Sequence, residues 1–85
     1  MTSDREKYLR RVDEEERKAL EFLDETERYF FDVMQGAKLE LDRVKSPTQR
    51  QQAMTEFDRK EADARARFTE RRERTRIHFQ ELREV

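Results

Sequence analysis

Six arginines crowd into one short stretch of this chain, Arg65, Arg67, Arg71, Arg72, Arg74 and Arg76. Guanidinium groups match phosphate oxygens in geometry, and phosphate neutralisation releases condensed counterions, so such a run is the chain's best candidate for a nucleic-acid contact. Glu70 and Glu73 interrupt it, and the formal net charge of the whole chain is −1. A solvated face, neutralised by carboxylates elsewhere in the chain, is the plainer expectation.

Other polar chemistry is sparse. His78 is the only histidine. A di-iron helical bundle requires Glu-x-x-His, and Thr75 occupies the position three before it, so the expectation is a lone polar residue in a helix seam. The run Asp13-Glu14-Glu15-Glu16 is rich in carboxylates, but consecutive helical residues point in different directions and cannot converge as an acid–base pair. There is no cysteine and a single glycine. Thiolate chemistry and a Gly-rich phosphate loop are therefore excluded, and we expect a protein with no catalytic residues, metal or cofactor.

The second concentration of interest is aromatic: Phe22, Tyr29, Phe30 and Phe31, with Met34 beside them and Phe57 and Phe68 further along. Adjacent residues on a helix lie about 100° apart, so Phe30 and Phe31 cannot both face one neighbouring helix. At least one of these rings should be exposed in an isolated chain. Exposed aromatic clusters dominate the energetics of many protein interfaces. These seven residues are thus the candidate protein-binding surface, met either by another protein or by a second copy in a four-helix bundle.

Two long helices must position these groups. Ser3 with Glu6 and Ser46 with Gln49 have capping-box spacing, and Pro47 follows the second serine at a position where its missing N–H costs nothing. A stripe of Leu9, Val12, Glu16, Ala19, Leu23, Thr26, Phe30, Val33 and Ala37 advances in steps of three and four, which defines a first helix over residues 4–44. A thinner stripe, Met54, Phe57, Glu61, Ala64, Phe68, Arg71, Thr75, His78 and Leu82, defines a second over residues 47–84. Gly36 lies inside the first as either a close approach or a weak point. The chain reads as free of internal repeats.

Equal arms joined by a turn at residues 45–46 should fold back as an antiparallel, coiled-coil-like hairpin, pairing positions whose numbers sum to roughly 92. That register pairs Leu82 with Leu9, Phe79 with Val12, Phe68 with Leu23 and Phe57 with Met34, and it sets the arginine run beside Glu16, Glu21, Asp24, Glu25 and Glu27 and the bulky Tyr29-Phe30-Phe31 cluster across from Ala62 and Ala64. Residues 1–45 carry ten basic and thirteen acidic side chains, and residues 46–85 carry ten and eight. A single long helix kinked at Pro47 is the competing fold.

With 48% charged against 33% hydrophobic residues, the chain has little apolar surface to build a core alone, so a protein partner or homodimer is expected. No apolar run approaches the ~20 residues of a membrane span, and none resembles a signal peptide, so a cytoplasmic location is the default reading. The sequence thus describes one all-α domain acting as an adaptor, chaperone-like or assembly subunit without a small-molecule substrate, with nucleic-acid binding through Arg65–Arg76 as the alternative.

Overall fold

The computed structural model describes residues 3–85. It holds two α-helices, α1 (Asp4–Glu40) and α2 (Pro47–Arg83), each of 37 residues, packed against one another as a hairpin; the described residues contain no strand. Both starts follow from local chemistry. The Ser3 hydroxyl accepts the Glu6 N–H at 3.1 Å, and the Ser46 hydroxyl accepts the Gln49 N–H at 3.3 Å with Pro47 in the first turn. Each cap satisfies a backbone donor that the helix itself leaves open.

The first helix ends earlier than the expected residue 44. At Glu40 it tightens into a 3-10 turn, Leu41–Arg43, and Val44 then becomes extended. Neither glycine nor proline stands there to stop it. Packing does: Leu41 is buried and Val44 half-buried, so this corner is closed by the side chains that plug it. At the open end the N-terminal turns of α1 cap α2. The Tyr8 hydroxyl donates to the Leu82 carbonyl at 2.8 Å, and the Arg5 guanidinium donates to the carbonyls of Arg83, at 2.8 Å, and Val85. These late carbonyls have no partner within their own helix and carry its negative dipole end, which a cation complements.

The seam has an eleven-residue period. The buried residues of α1 are Val12, Leu23 and Met34, spaced by eleven, with Leu41 at the corner. Between them the inward positions are Glu16, Ala19, Glu27, Phe30 and Lys38, all half-buried. On α2, Phe57, Phe68 and Phe79 are likewise half-buried at intervals of eleven, as are Glu61, Arg72 and Arg83. Eleven residues in three turns is 3.67 per turn, slightly above the 3.6 of a straight helix, so this repeat favours a slight right-handed winding of the arms rather than the left-handed supercoil of a heptad. The three-and-four stripes expected above therefore drift out of phase. Thr26, Val33, Arg71 and His78 are exposed, and Glu27, Met34, Arg72 and Phe79 take the inward positions.

The same period organises the charge. Arg83 bridges Asp13 (2.8 Å) and Glu16 (3.0 Å), Arg72 bridges Asp24 (2.9 Å) and Glu27 (2.8 Å), and Lys38 bridges Asp58 (3.3 Å) and Glu61 (2.7 Å). Each cation bridges two carboxylates three residues apart, and the third layer has its polarity reversed. These long side chains join positions whose numbers sum to 96 or 99, above the expected 92, because in antiparallel helices each side chain leans toward its own N-terminus.

The reversal specifies register. Sliding one arm by a repeat would set Glu27 against Glu61 and Lys38 against Arg50, and sliding it the other way would set Lys38 against Arg72. Hydrogen bonds to Glu61 and then Asp58 raise the Lys38 pKa, so the layer is intact at neutral pH and weakens only as pH climbs through that raised value. Reversing Lys38 to Glu should lower Tm by several degrees. Adding Glu61→Lys should recover most of that loss while permitting the slipped pairing, seen as a second distance between spin labels at Glu14 and Glu81.

Gly36 is not a close-approach site within the hairpin, since a Cβ built on it meets nothing within 4 Å. Its helical backbone has no positive φ. Gly36→Ala should accordingly stabilise the fold by roughly 0.5–1 kcal/mol, read as an upward shift in a urea or thermal melt.

Candidate functional site

Two helices bury little. Among the described residues four side chains are buried, Val12, Leu23, Met34 and Leu41, and the molecule is a flat slab, its principal axes extending 70 × 18 × 7 Å, with two broad faces. The two faces differ in chemistry. Asp13 and Asp24 follow the buried Val12 and Leu23 in sequence and fall to one side of the seam, where the ion-pair layers lie. Phe22 and Val33 precede Leu23 and Met34 and fall to the other, about 100° away from them on the helix. Thr26 and Tyr29 share that second strip.

The aromatic cluster is divided accordingly. Phe30 and Phe31 are half-buried and meet edge to face at 5.2 Å, Phe30 lies 6.3 Å from Phe68, and the Arg65 guanidinium sits 4.3 Å over the Phe31 ring. Met34 is buried, and Phe57 and Phe68 are half-buried. These five belong to the seam. Phe22 and Tyr29, by contrast, are 67% and 72% exposed, and Val33 between the same turns is 51% exposed. Val33 was not singled out as a surface residue in the sequence, because the stripe there was phased one position early. Of the alanines expected across from the aromatic cluster, Ala64 is half-buried whereas Ala62 is exposed.

On α2 the residues preceding the seam positions Glu61, Phe68 and Arg72 are Lys60, Arg67 and Arg71. They line an open trench of about 520 Å³ whose floor is Phe30, Ala64 and Phe68. Among the described residues none of these three cations lies within ion-pair distance of a carboxylate. The trench also meets Asp63 and Arg59, which pair with each other at 3.6 Å, Arg59 also bridging Glu56. Hydrogen bonding to Arg59 lowers the Glu56 pKa and raises that of Arg59, so this outer cluster stays ionised and is neutral as a set save for one carboxylate.

The arginine run does not form a single surface. Arg72 enters the seam, where hydrogen bonds to Glu27 first and Asp24 second raise its pKa. Arg74 bridges Glu70 at 2.6 Å, and Arg65 covers Phe31. Arg67 and Arg71 face the trench, while Arg76, which follows the seam residue Thr75, lies on the opposite side. Of the acidic partners expected for the run, Asp24 and Glu27 hold Arg72, and Glu16 instead holds Arg83. His78 is exposed, its ring edge-on to Phe79 at 5.1 Å, outside the seam position expected for it. Among the described residues no three His, Cys, Asp or Glu side chains come together in a metal-binding group, and no helix is long and apolar enough to cross a membrane.

The class these features define is a two-helix antiparallel hairpin of eleven-residue period, closed by ion pairs on one face and open on the other. No protein-family model matches the chain, and neither curated proteins nor solved structures offer a significant similarity.

Proposed function

We propose that the chain is a non-enzymatic protein-interaction module whose binding surface is the open face, centred on Phe22, Tyr29 and Val33. The observation that carries this reading is the exposure of two large aromatic rings and a valine on one strip, beside the seam and not within it. Buried aromatic anchors are the side chains that most often carry binding energy, and an exposed set of them on a charged protein marks an interface. The surrounding cations provide a polar rim of the kind such interfaces have. An adaptor, chaperone-like or assembly role follows from that surface, without a small-molecule substrate and in a cytoplasmic setting.

A four-helix bundle of two copies would use the same strip. With the two-fold axis across the arms, α1 would lie on its copy with Phe22, Tyr29 and Val33 stacked on their equivalents, and the Lys60, Arg67 and Arg71 rows would then face one another. Like charges brought together in this way oppose association. The test of the interaction reading is the double substitution Phe22→Ser/Tyr29→Ser, which should preserve helicity and remove association.

A further inference from the structure

We propose that the open face takes an acidic amphipathic helix of another protein, laid along the trench between α1 and α2. The proposal rests on the reading of Phe22, Tyr29 and Val33 as an interface and names the chemistry of what binds there. The open face carries two rows that differ in kind. One is the exposed strip of α1, Phe22, Tyr29 and Val33; the other is the cationic row of α2, Lys60, Arg67 and Arg71, which lines the trench with Phe30, Ala64 and Phe68. First and last members of each row are eleven positions apart, and in an antiparallel hairpin of this register the two rows lie at the same height on either side of Phe30.

A third helix is the occupant whose repeat matches both rows. Apolar side chains at i, i+4, i+7 and i+11 would cover the strip and the floor, and the carboxylates one position to the side would meet Lys60, Arg67 and Arg71 at the same intervals. Charge complementarity selects the sign of the partner. Asp63 is already paired with Arg59, and Arg74 with Glu70, so the groups left open toward the trench are cationic. With the two-fold axis across the arms, a second copy would set this cationic row against itself. A single nucleic-acid strand would find here, among the described residues, only three unpaired cations, Lys60, Arg67 and Arg71, spread over about three helical turns.

The experiment uses the full chain and two fluorescein-labelled synthetic helical peptides of about 20 residues. Both carry leucine at i, i+4, i+7 and i+11; one is flanked by glutamates and the other by lysines at the same positions. Fluorescence anisotropy should show the glutamate peptide binding at least about tenfold more tightly than the lysine peptide, a preference lost in Arg67→Glu/Arg71→Glu and in high salt. Phe22→Ser/Tyr29→Ser should abolish binding of both. Equal binding of the two peptides that still depends on Phe22 and Tyr29 would overturn the acidic partner and leave the interaction surface standing. Binding of neither peptide, with a concentration-dependent dimer that Phe22→Ser/Tyr29→Ser dissolves, would assign the face to a second copy and overturn the proposal. Tighter binding of a labelled oligothymidylate, displacing the acidic peptide and lost in Arg67→Glu/Arg71→Glu, would overturn it in favour of nucleic acid.

Discussion

Replacing Leu23 by alanine should leave much of the protein unfolded at 25 °C, whereas replacing its neighbour Phe22 by alanine should leave the melt almost unchanged. Leu23 is 7% exposed at the centre of the seam and Phe22 is 67% exposed beside it. Truncating a buried leucine costs about 2–5 kcal/mol in lost transfer energy and cavity. A domain of this length has a total stability of roughly 0.05–0.15 kcal/mol per residue, and one with so few buried side chains belongs near the lower bound. The single truncation is therefore comparable to the whole stability. Phe22→Ala removes a larger ring but from solvent, and alanine is the better helix former, so its effect should stay within about 0.5 kcal/mol. Urea melts followed by circular dichroism at one protein concentration would compare the two. Equal loss from both substitutions would mean that the Phe22 ring is packed, contrary to the fold described.

The complementary prediction reverses the pattern. Phe22→Ser/Tyr29→Ser should retain the Tm and helicity of the parent chain and weaken its association severely. Anchoring aromatic residues at an interface cost about 2 kcal/mol or more when truncated, which is about thirtyfold in affinity for each. Serine cannot restore the lost apolar contact and is less favourable in a helix than alanine by only about 0.5 kcal/mol, so the folded state tolerates it. Leu23→Ala and the double serine variant thus separate packing from the proposed binding: Leu23 holds α2, and Phe22 and Tyr29 on the adjacent strip are free of the seam.

Which aromatic residue does which task was not legible in the sequence, and the reason is one of phase. The starts of both helices were readable because caps are local: a serine, a proline and a residue three positions on suffice at Ser46. The hairpin was readable because the two arms have equal length and a single punctuation between them. The end of α1 was not, because Glu40 is followed by no helix breaker and the corner depends on Leu41 and Val44 finding space against α2. Along α1 the three-and-four stripe keeps Phe30 and Ala37 inside but puts Thr26 and Val33 where Glu27 and Met34 turn inward, and Glu27 and Lys38 carry charges that disguise them as surface. On α2, Glu61, Arg72 and Arg83 hide the seam in the same way, half-buried charged residues that each have an ion-pair partner across it. The expectation of an exposed ring was met by Phe22 and Tyr29 and that of Phe30 at the seam by its contact with Phe68, but placing Phe31 inside and Val33 outside requires the eleven-residue phase.

The Phe22–Val33 strip as the working surface is tested most directly by placing a photo-reactive benzoylphenylalanine at Val33 in the full chain, and at Asp32 on the far side of α1 as the control. Irradiation in the cell of origin should give discrete protein adducts from position 33 and not from position 32. Those adducts should disappear when Phe22→Ser/Tyr29→Ser is introduced into the same chain, with its helicity retained. Adducts from position 33 that persist undiminished in that variant, or a yield from position 32 as high as from 33, would contradict the account.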